Sequence, residues 1–383
     1  CHLCVYRKAL IDQVGGLRAG YEGAQDHDLL LRTTELTEKI GHIPKILYHW
    51  RLLKSSTAQN VDSKGYAYQA GKKALADALQ RRGLKGDVVD GAFPGLYNIH
   101  YAITEKHLVS IIIPTRDGAE DVKTCVDSIL KKTTYPHYEI IIADNGSEKQ
   151  ETLDLFAAYT KNYPDKIKVV RIDIPFNYAR INNLAVKEAQ GDILLFLNND
   201  TEVIADVWME RMLGYAQLEH VGAVGAKLYY LDETIQHAGV VLGMGGAAGH
   251  IHYNFPRHSN GYFGKLVSAT NYLAVTGACL MVKRADFERV GGFTEEFTVA
   301  YNDVDLCIKL YESGRYNVWV AEAELYHFES KSRGYEDNPE KRERFAREIK
   351  MLQDKWLKYI KNDPFYNPNL TKMHADFSIN LDD

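Results

Sequence analysis

Residues 191–203 read GDILLFLNNDTEV, and this stretch limits the possible folds more than any other. Five apolar residues, Ile193 to Leu197, run unbroken into a polar knot of Asn198, Asn199, Asp200 and Thr201. A short apolar run bounded by Gly and Asn/Asp is the pattern of a strand buried on both faces. Two runs of the same kind precede it. VSIIIP at 109–114 leads into Thr115-Arg116-Asp117-Gly118, and YEIIIA at 138–143 leads into Asp144-Asn145-Gly146-Ser147. Helices are expected over 121–132, 148–162 and 181–189, the first with Val122, Val126, Ile129 and Leu130 on one face, and a further strand over 167–172. Strands alternating with helices predict a doubly wound, mostly parallel α/β sheet. Ligands of such sheets bind at the carboxyl ends of the strands, where Asp117, Asp144 and Asp200 would share an edge. The plainer role of Asn198 to Thr201 is to turn the chain and cap a helix starting near Asp206.

Comparison of the chain with itself reveals a repeat, a pattern that must be read before a fold is assigned. Residues 4–32, CVYRKALIDQVGGLRAGYEGAQDHDLLLR, parallel residues 280–309, LMVKRADFERVGGFTEEFTVAYNDVDLCIK. Gly15-Gly16 aligns with Gly291-Gly292, and Asp26-His27-Asp28-Leu29 with Asp303-Val304-Asp305-Leu306 after one inserted residue. Leu47-Tyr48-His49-Trp50 then matches Leu325-Tyr326-His327-Phe328. A long α/β stretch precedes the second copy and none precedes the first, so the first is expected to be the carboxyl-terminal half of a similar domain within a larger tandem protein. Between the copies, 63–82 reads as an amphipathic helix stopped by Gly83, and 86–107 as a linker with one edge strand over 97–101.

The 383 residues suit two domains at about 150 residues each. A net charge of −5 argues against a nucleic-acid groove, which needs clustered Lys and Arg. The basic run Lys341 to Arg347 alternates with Glu and reads as a solvated helix face, part of a helix opened by Asn338-Pro339, with Phe345, Ile349, Leu352 and Trp356 as its packing stripe. No apolar stretch approaches the roughly 18 residues of a membrane span. Five scattered cysteines fit a reducing compartment. Cys1 and Cys4 form a CxxC in a strand-like segment, but without a second pair it does not predict a zinc site. Gly243 to Gly249, GMGGAAG, echoes a dinucleotide fingerprint but leads into HIHYNFP rather than a helix, and is rejected as one. The 25 Tyr suit sugar stacking and core packing alike.

The series IIIPTRD, IIIADNGS, FNYARINN, LFLNNDTE, GGFTEEF, NDVDLC and LYHFES resembles a family 2 glycosyltransferase of GT-A type, of the kind found in bacterial surface polysaccharide and glycoprotein glycan assembly, rhamnosyl- and galactosyltransferases among them. The resemblance divides the chain into 1–55, the remnant of a first domain; 56–108, helix and linker; 109–361, a complete domain; and 362–383, a tail. It implies that Pro114, Thr115 and Asp117 shape the base and ribose pocket, that Asp144 and Asn145 read a pyrimidine edge, and that Arg180, Asn182, Asn183 and Asn199 contribute to donor binding. Asp200 takes the place of the last acid of the family's DxD motif and, with His327, would bind Mn2+ or Mg2+. The chain departs from the pattern at Asn198, where many members have the first Asp. Asp303 would be the general base, and His237 and Asn302 would face the acceptor. His250 and His252 are read with His237 as loop residues near that cleft.

The chemistry calls for these residue types. A sugar hydroxyl is a poor nucleophile, so a carboxylate within hydrogen-bond reach must take its proton as it attacks C1. The departing nucleoside diphosphate gains charge that a divalent cation neutralises as a Lewis acid. Carboxylate oxygens suit those hard ions, and an imidazole tilts the choice toward Mn2+. The expectation is an inverting transfer from a UDP- or dTDP-sugar to a glycan hydroxyl carried on lipid or protein, in the cytoplasm or peripherally at the inner face of the membrane. In the truncated copy Asp26 and His49 match Asp303 and His327, yet without a nucleotide half it is expected to be non-catalytic. The competing reading is an inactive nucleotide- or carbohydrate-binding module. A nucleotidyltransferase would need a Gly- and Arg-rich loop where this chain has PTRDGAED.

Overall fold

The computed structural model describes residues 3–49, 65–328 and 338–381. The chain divides into two compact units, Cys1–Thr104 and Glu105–Asp383.

The first unit holds helices α1 (Lys8–Val14), α2 (Gln25–Thr34) and α3 (Gly65–Arg81), and strands β1 (Gly86–Asp90) and β2 (Tyr97–Tyr101). Helix α1 ends where Gly15 and Gly16 take positive φ. The strand expected over 97–101 is half of an antiparallel hairpin, with Gly86 opposite Tyr101, because 86–90 supplies the hydrogen bonds an edge strand lacks. The strand-like segment expected around Cys4 has no regular structure over residues 4–7, where Cys4 is exposed; Cys1 lies outside the described residues.

The second unit is built on a ten-stranded sheet ordered β12-β14-β8-β13-β6-β3-β4-β5, with β7 paired to β14 and β9 to β8. In chain order its elements begin with β3 (Val109–Thr115), α4 (Ala119–Lys132), β4 (Tyr138–Asp144), α5 (Gln150–Asn162), β5 (Ile167–Arg171), α6 (Tyr178–Val186) and β6 (Ile193–Leu197). Next come β7 (Thr201–Val203), α7 (Trp208–Ala216), β8 (Val221–Tyr229), β9 (Ile235–His237), β10 (Val240–Leu242), β11 (Ala248–His250) and β12 (Thr270–Tyr272). The unit closes with β13 (Cys279–Lys283), α8 (Arg284–Arg289), α9 (Asn302–Glu312), β14 (Tyr316–His327) and α10 (Pro339–Lys361). Strands β6, β3, β4 and β5 run parallel, while β13 enters antiparallel between β6 and β8.

Strand β6 is buried along its whole length, as an unbroken apolar run at the middle of a sheet must be. Gly191 opens it because a Cβ there would stand 2.3 Å from the Leu108 carbonyl oxygen. Phe196 packs on Phe293 and Phe287, with ring centroids 4.7 and 5.2 Å away, so the aromatic residue after the Gly291-Gly292 turn plugs into the central strand. Helix α6 begins at Tyr178, three residues before the sequence pattern placed it, because the Asn177 side chain caps it by accepting from the Arg180 N–H. The GMGGAAG segment is a tight turn between β10 and β11.

The repeat is visible in three dimensions. Asp28 and Asp305 are both fully buried, and each forms an ion pair four residues on, with Arg32 at 2.8 Å and Lys309 at 3.5 Å. Those two cations also donate to the second glycine carbonyl of their respective turns, Arg32 to Gly16 (2.7 Å) and Lys309 to Gly292 (2.5 Å). Burial raises the pKa of each aspartate, and the neighbouring cations more than offset it, Arg18 and Arg32 at one, Lys355 and Lys309 at the other, so both stay below the usual range. The correspondence extends into the following helix: Glu35 pairs with Arg81 of α3 at 2.8 Å, and Glu312 with Lys358 of α10 at 2.5 Å.

Candidate active site at the carboxyl edge of the sheet

The loops after β3, β4 and β6 are tied into one surface. Asn199 Nδ2 donates to Thr115 Oγ1 at 2.9 Å, linking the polar knot to the end of β3. Asp117, in a left-handed conformation at φ 54°, donates its N–H to Ser147 Oγ (2.7 Å) and accepts from the backbone N–H groups of Lys149 (2.9 Å) and Glu148 (3.0 Å). Those N–H groups, Lys149 first, hold its carboxyl below the usual range. Asp144 is buried, accepting from the Ser147 N–H (2.8 Å) and pairing with Arg171 Nη1 (2.9 Å). Asn145 donates Nδ2 to the carbonyls of Ile172 and Ile174 at 2.9 and 2.8 Å, and its buried Oδ1 has no hydrogen-bond partner among the described residues. Pro114 is half-buried beside Thr115.

Strand pairing makes the second feature. Strand β7 lies antiparallel to β14 with Thr201 opposite His327, and the Phe328 N–H donates to the Asp200 carbonyl at 2.8 Å. Asp200 and His327, far apart in the chain, therefore meet: Oδ1 and Nε2 are 3.2 Å apart, both side chains buried. Asn198 Nδ2 is also 3.2 Å from that Nε2, and Gln236 Nε2 is 2.8 Å from Nδ1. Among the described residues no three of His, Cys, Asp and Glu come together as a metal cage. A pair still fits a catalytic cation, which commonly takes one or two protein ligands and completes its shell with phosphate oxygens and water. Two donors each about 2.1 Å from an ion, at right angles, stand about 3 Å apart, close to the spacing seen here.

The third feature is a backbone segment. The Thr276 N–H points to His237 Nε2 at 3.4 Å, the Gly277 N–H donates to Asp303 Oδ2 at 2.7 Å, and the Ala278 carbonyl accepts from the Asn198 N–H at 3.0 Å. Three consecutive residues thus join a histidine, the acid of α9 and the polar knot. Asp303 is half-buried in the first turn of α9, where its Oδ1 accepts from the Val304 N–H at 2.8 Å. Its neighbour Asp305 plays a different part, fully enclosed by Thr294, Lys309, Lys355 and Trp356.

The remaining expected site residues divide by environment. Arg180 is half-exposed, 3.9 Å from Glu295. Asn183 donates to the Phe293 carbonyl (2.9 Å) and accepts from its N–H (3.0 Å), bracing the glycine turn. Asn182 is buried in α6, donating to the Tyr178 carbonyl at 2.9 Å. Asn302 is buried and donates to the Val299 carbonyl at 2.8 Å. The placement of the histidines in loops is corrected: His237 lies on β9 and His250 on β11, their Nδ1 atoms 3.1 Å apart, because short strands fold this region back on itself. Burial first, then the neighbouring His250 and His327, hold the His237 imidazole well below its usual range. His252 is in a loop as expected, but buried among Phe255 and Phe377. Gln236 and the Thr276 to Ala278 segment escaped the sequence reading, since a glutamine in a three-residue strand and a backbone donor leave no motif.

Residues 110–291 match the family described as Glycosyl transferase family 2. An uncharacterized protein of Sinorhizobium fredii is 47% identical over 98% of this chain and 42% of its own length. An O-antigen biosynthesis protein of Myxococcus xanthus is 40% identical over 98% of the chain and 29% of its own. The chain therefore spans less than half the length of either relative. A solved structure, GalNAc-T7 with UDP, GalNAc and Mn2+, shares the fold at 15% identity and a TM-score of 0.55, covering 75% of this chain and 55% of that one. No described helix is long and apolar enough to cross a membrane. With its curled, mostly parallel sheet and its match over 110–291, the second unit carries a glycosyltransferase domain of GT-A fold that belongs to glycosyl transferase family 2.

Proposed function

We propose that the second unit transfers a sugar from a UDP- or dTDP-sugar to a hydroxyl of a glycan acceptor, with inversion and with help from Mn2+ or Mg2+. One observation carries this reading: the segment Thr276 to Ala278 holds Asp303 beside the knot that presents Asp200 to His327. Asn145, with an unpartnered Oδ1, offers an acceptor to an N–H of the donor base, while Thr115, Asp117 and Asn199 shape the ribose side of the pocket. Arg180 offers a cation to the diphosphate, with Asn182 and Asn183 supporting the helix that carries it. Asp200 and His327 would hold the cation, whose chemistry is to neutralise charge on the departing diphosphate. Asp303, kept in place by the Gly277 N–H, accepts the acceptor hydroxyl's proton as that oxygen attacks C1 from the face opposite the leaving group. His237 and Asn302 lie on the acceptor side. The O-antigen role named for the Myxococcus relative supports a polysaccharide acceptor.

The repeated Asp-cation-glycine tie supports a second part of the proposal: residues 1–55 are a counterpart of the carboxyl-terminal half of such a domain, and are not catalytic by themselves. Calorimetric titration of UDP and of dTDP, with and without Mn2+, tests the site. Metal-dependent binding of one nucleotide, lost in Asp200→Ala, is expected. Nucleotide binding without any transfer by the wild-type chain would instead favour an inactive binding module.

A further inference from the structure

We propose that Gln236 is the positioning residue that selects the tautomer of His327, and so decides whether that imidazole offers a lone pair to a divalent cation or a proton to Asp200. The inference rests on the metal-assisted reading above and adds to it a residue outside the ligand pair.

The argument is one of donors and acceptors. His327 Nε2 stands 3.2 Å from Asp200 Oδ1 and 3.2 Å from Asn198 Nδ2. A carboxylate only accepts and an amide nitrogen only donates, so a neutral imidazole cannot satisfy both through one nitrogen. Protonated, Nε2 serves Asp200; bare, it serves Asn198 or a cation. The choice is made at the other nitrogen, because a neutral ring carries one proton. There Nδ1 faces the Gln236 amide through its Nε2, at 2.8 Å. A primary amide presents either NH2 or C=O after a half-turn about its last bond. With NH2 toward the ring, Nδ1 accepts, the proton sits on Nε2, and His327 is closed to metal. With Oε1 toward the ring, Nδ1 carries the proton and the Nε2 lone pair points into the space shared with Asp200.

Gln236 is built to stay in that position. It is buried, and β9 is locked to β8 by the pairing of its next residue, His237, with Leu228. The amide can turn, but its backbone is held. With its Nδ2 toward the ring, as it stands here, Asn198 works in the same direction as the carbonyl-facing arrangement, since its NH2 favours a bare Nε2. This gives a physical use to the amide that stands where many family members carry an acid: it helps keep the imidazole in its metal-accepting form, with Gln236 supplying the matching acceptor behind the ring. Metal-bound histidines are commonly oriented by such an outer hydrogen bond, whose loss costs about 10- to 100-fold in metal affinity.

The test measures Mn2+ alone, by the loss of its free EPR signal on titration into the full chain, with the His327 proton located by 15N NMR of ring-labelled protein. Gln236→Met removes the acceptor at nearly constant volume; it is expected to weaken Mn2+ binding about 10- to 100-fold and to leave the His327 proton on Nε2. Gln236→Glu can only accept, so it should retain wild-type affinity or better and place the proton on Nδ1. Unchanged Mn2+ affinity in Gln236→Met, alongside a loss in His327→Ala, overturns the role of Gln236 and leaves the metal reading standing. Unchanged affinity in His327→Ala overturns the metal reading itself. Should Gln236→Met fail to fold, Gln236→Glu decides alone, since a fall in affinity there contradicts the proposal.

Discussion

The two copies of the GG-and-acid motif present the same local structure in opposite surroundings. In both, a short helix ends in two glycines at positive φ, a buried aspartate opens the next helix, and a cation four residues on ties that aspartate to the glycine turn. Asp26 and Asp303 even share the same bond, accepting from the next residue's N–H at 2.9 and 2.8 Å. What differs is the cover. Leu17 is 63% exposed where Phe293 is 2%, Val5 is 93% where Met281 is 0%, and Leu47 is 63% where Leu325 is 0%. Met281 pairs with Leu195 of β6, and Leu325 with Val203 of β7 and Leu228 of β8. The local motif therefore forms from neighbouring residues alone, whereas the site needs the sheet: His327 meets Asp200 and Gln236, while its counterpart His49 is exposed.

Substitutions made in pairs test that contrast. Asp303→Asn is expected to lower transfer by about 10²- to 10⁴-fold while nucleotide binding is preserved, and Asp26→Asn to leave transfer unchanged. Release of nucleoside diphosphate from a nucleotide sugar reads both, and equal losses would erase the distinction between the copies. In the cores, Phe293→Ala should cost the second unit about 3–5 kcal/mol, since it empties the space against Phe196. Leu17→Ala should stay within about 0.5 kcal/mol, as exposed positions do, in denaturant melts that follow each unit.

The glycine turns sharpen the comparison. Alanine at either second glycine meets left-handed strain of about 1–2 kcal/mol. At Gly16 a Cβ finds nothing within 4 Å, whereas at Gly292 it would stand 2.8 Å from Asn183 Oδ1 and 3.1 Å from the Phe287 ring. Gly292→Ala should therefore destabilise by about 1–3 kcal/mol more than Gly16→Ala. Equal shifts in melting temperature would mean that Asn183 yields.

A last expected effect concerns acid. Burial pushes the His252 imidazole down from 6.5 to about 4. Between those values the unfolded chain holds a proton there that the folded chain does not, so stability is full above pH 6.5 and falls as pH drops toward 4. The loss is on the order of 3 kcal/mol in the second unit. His252→Phe should flatten the pH dependence of that unit's unfolding and spare the first; an unaltered slope would show that other groups carry it.

Much of this molecule was legible from its residues. The strands at 109–115, 138–144 and 193–197 follow from apolar runs closed by polar knots, and the helix from Asn338 from its cap, which accepts from the Lys341 N–H at 2.8 Å. These are local signals, in which the residues that make the pattern also make the hydrogen bonds. The same holds for the repeat, whose glycines, aspartate and cation sit within one short stretch. The early start of α6, the hairpin of β1 with β2 and the strand positions of His237 and His250 were set by contacts the linear pattern does not weight.

What sequence alone determined, then, is the alternation of strands and helices, the edge on which the acids gather, and the identity of Asp200, Asp303 and His327 as residues worth placing. Tertiary structure decided which of them meet. The register of β7 on β14 brings His327 to Asp200, residues 276–278 bring Asp303 to Asn198, and β9 sets Gln236 behind the imidazole. The reason is that strand register and side-chain hydrogen bonds between distant segments depend on how whole elements pack, a condition no short window of residues contains.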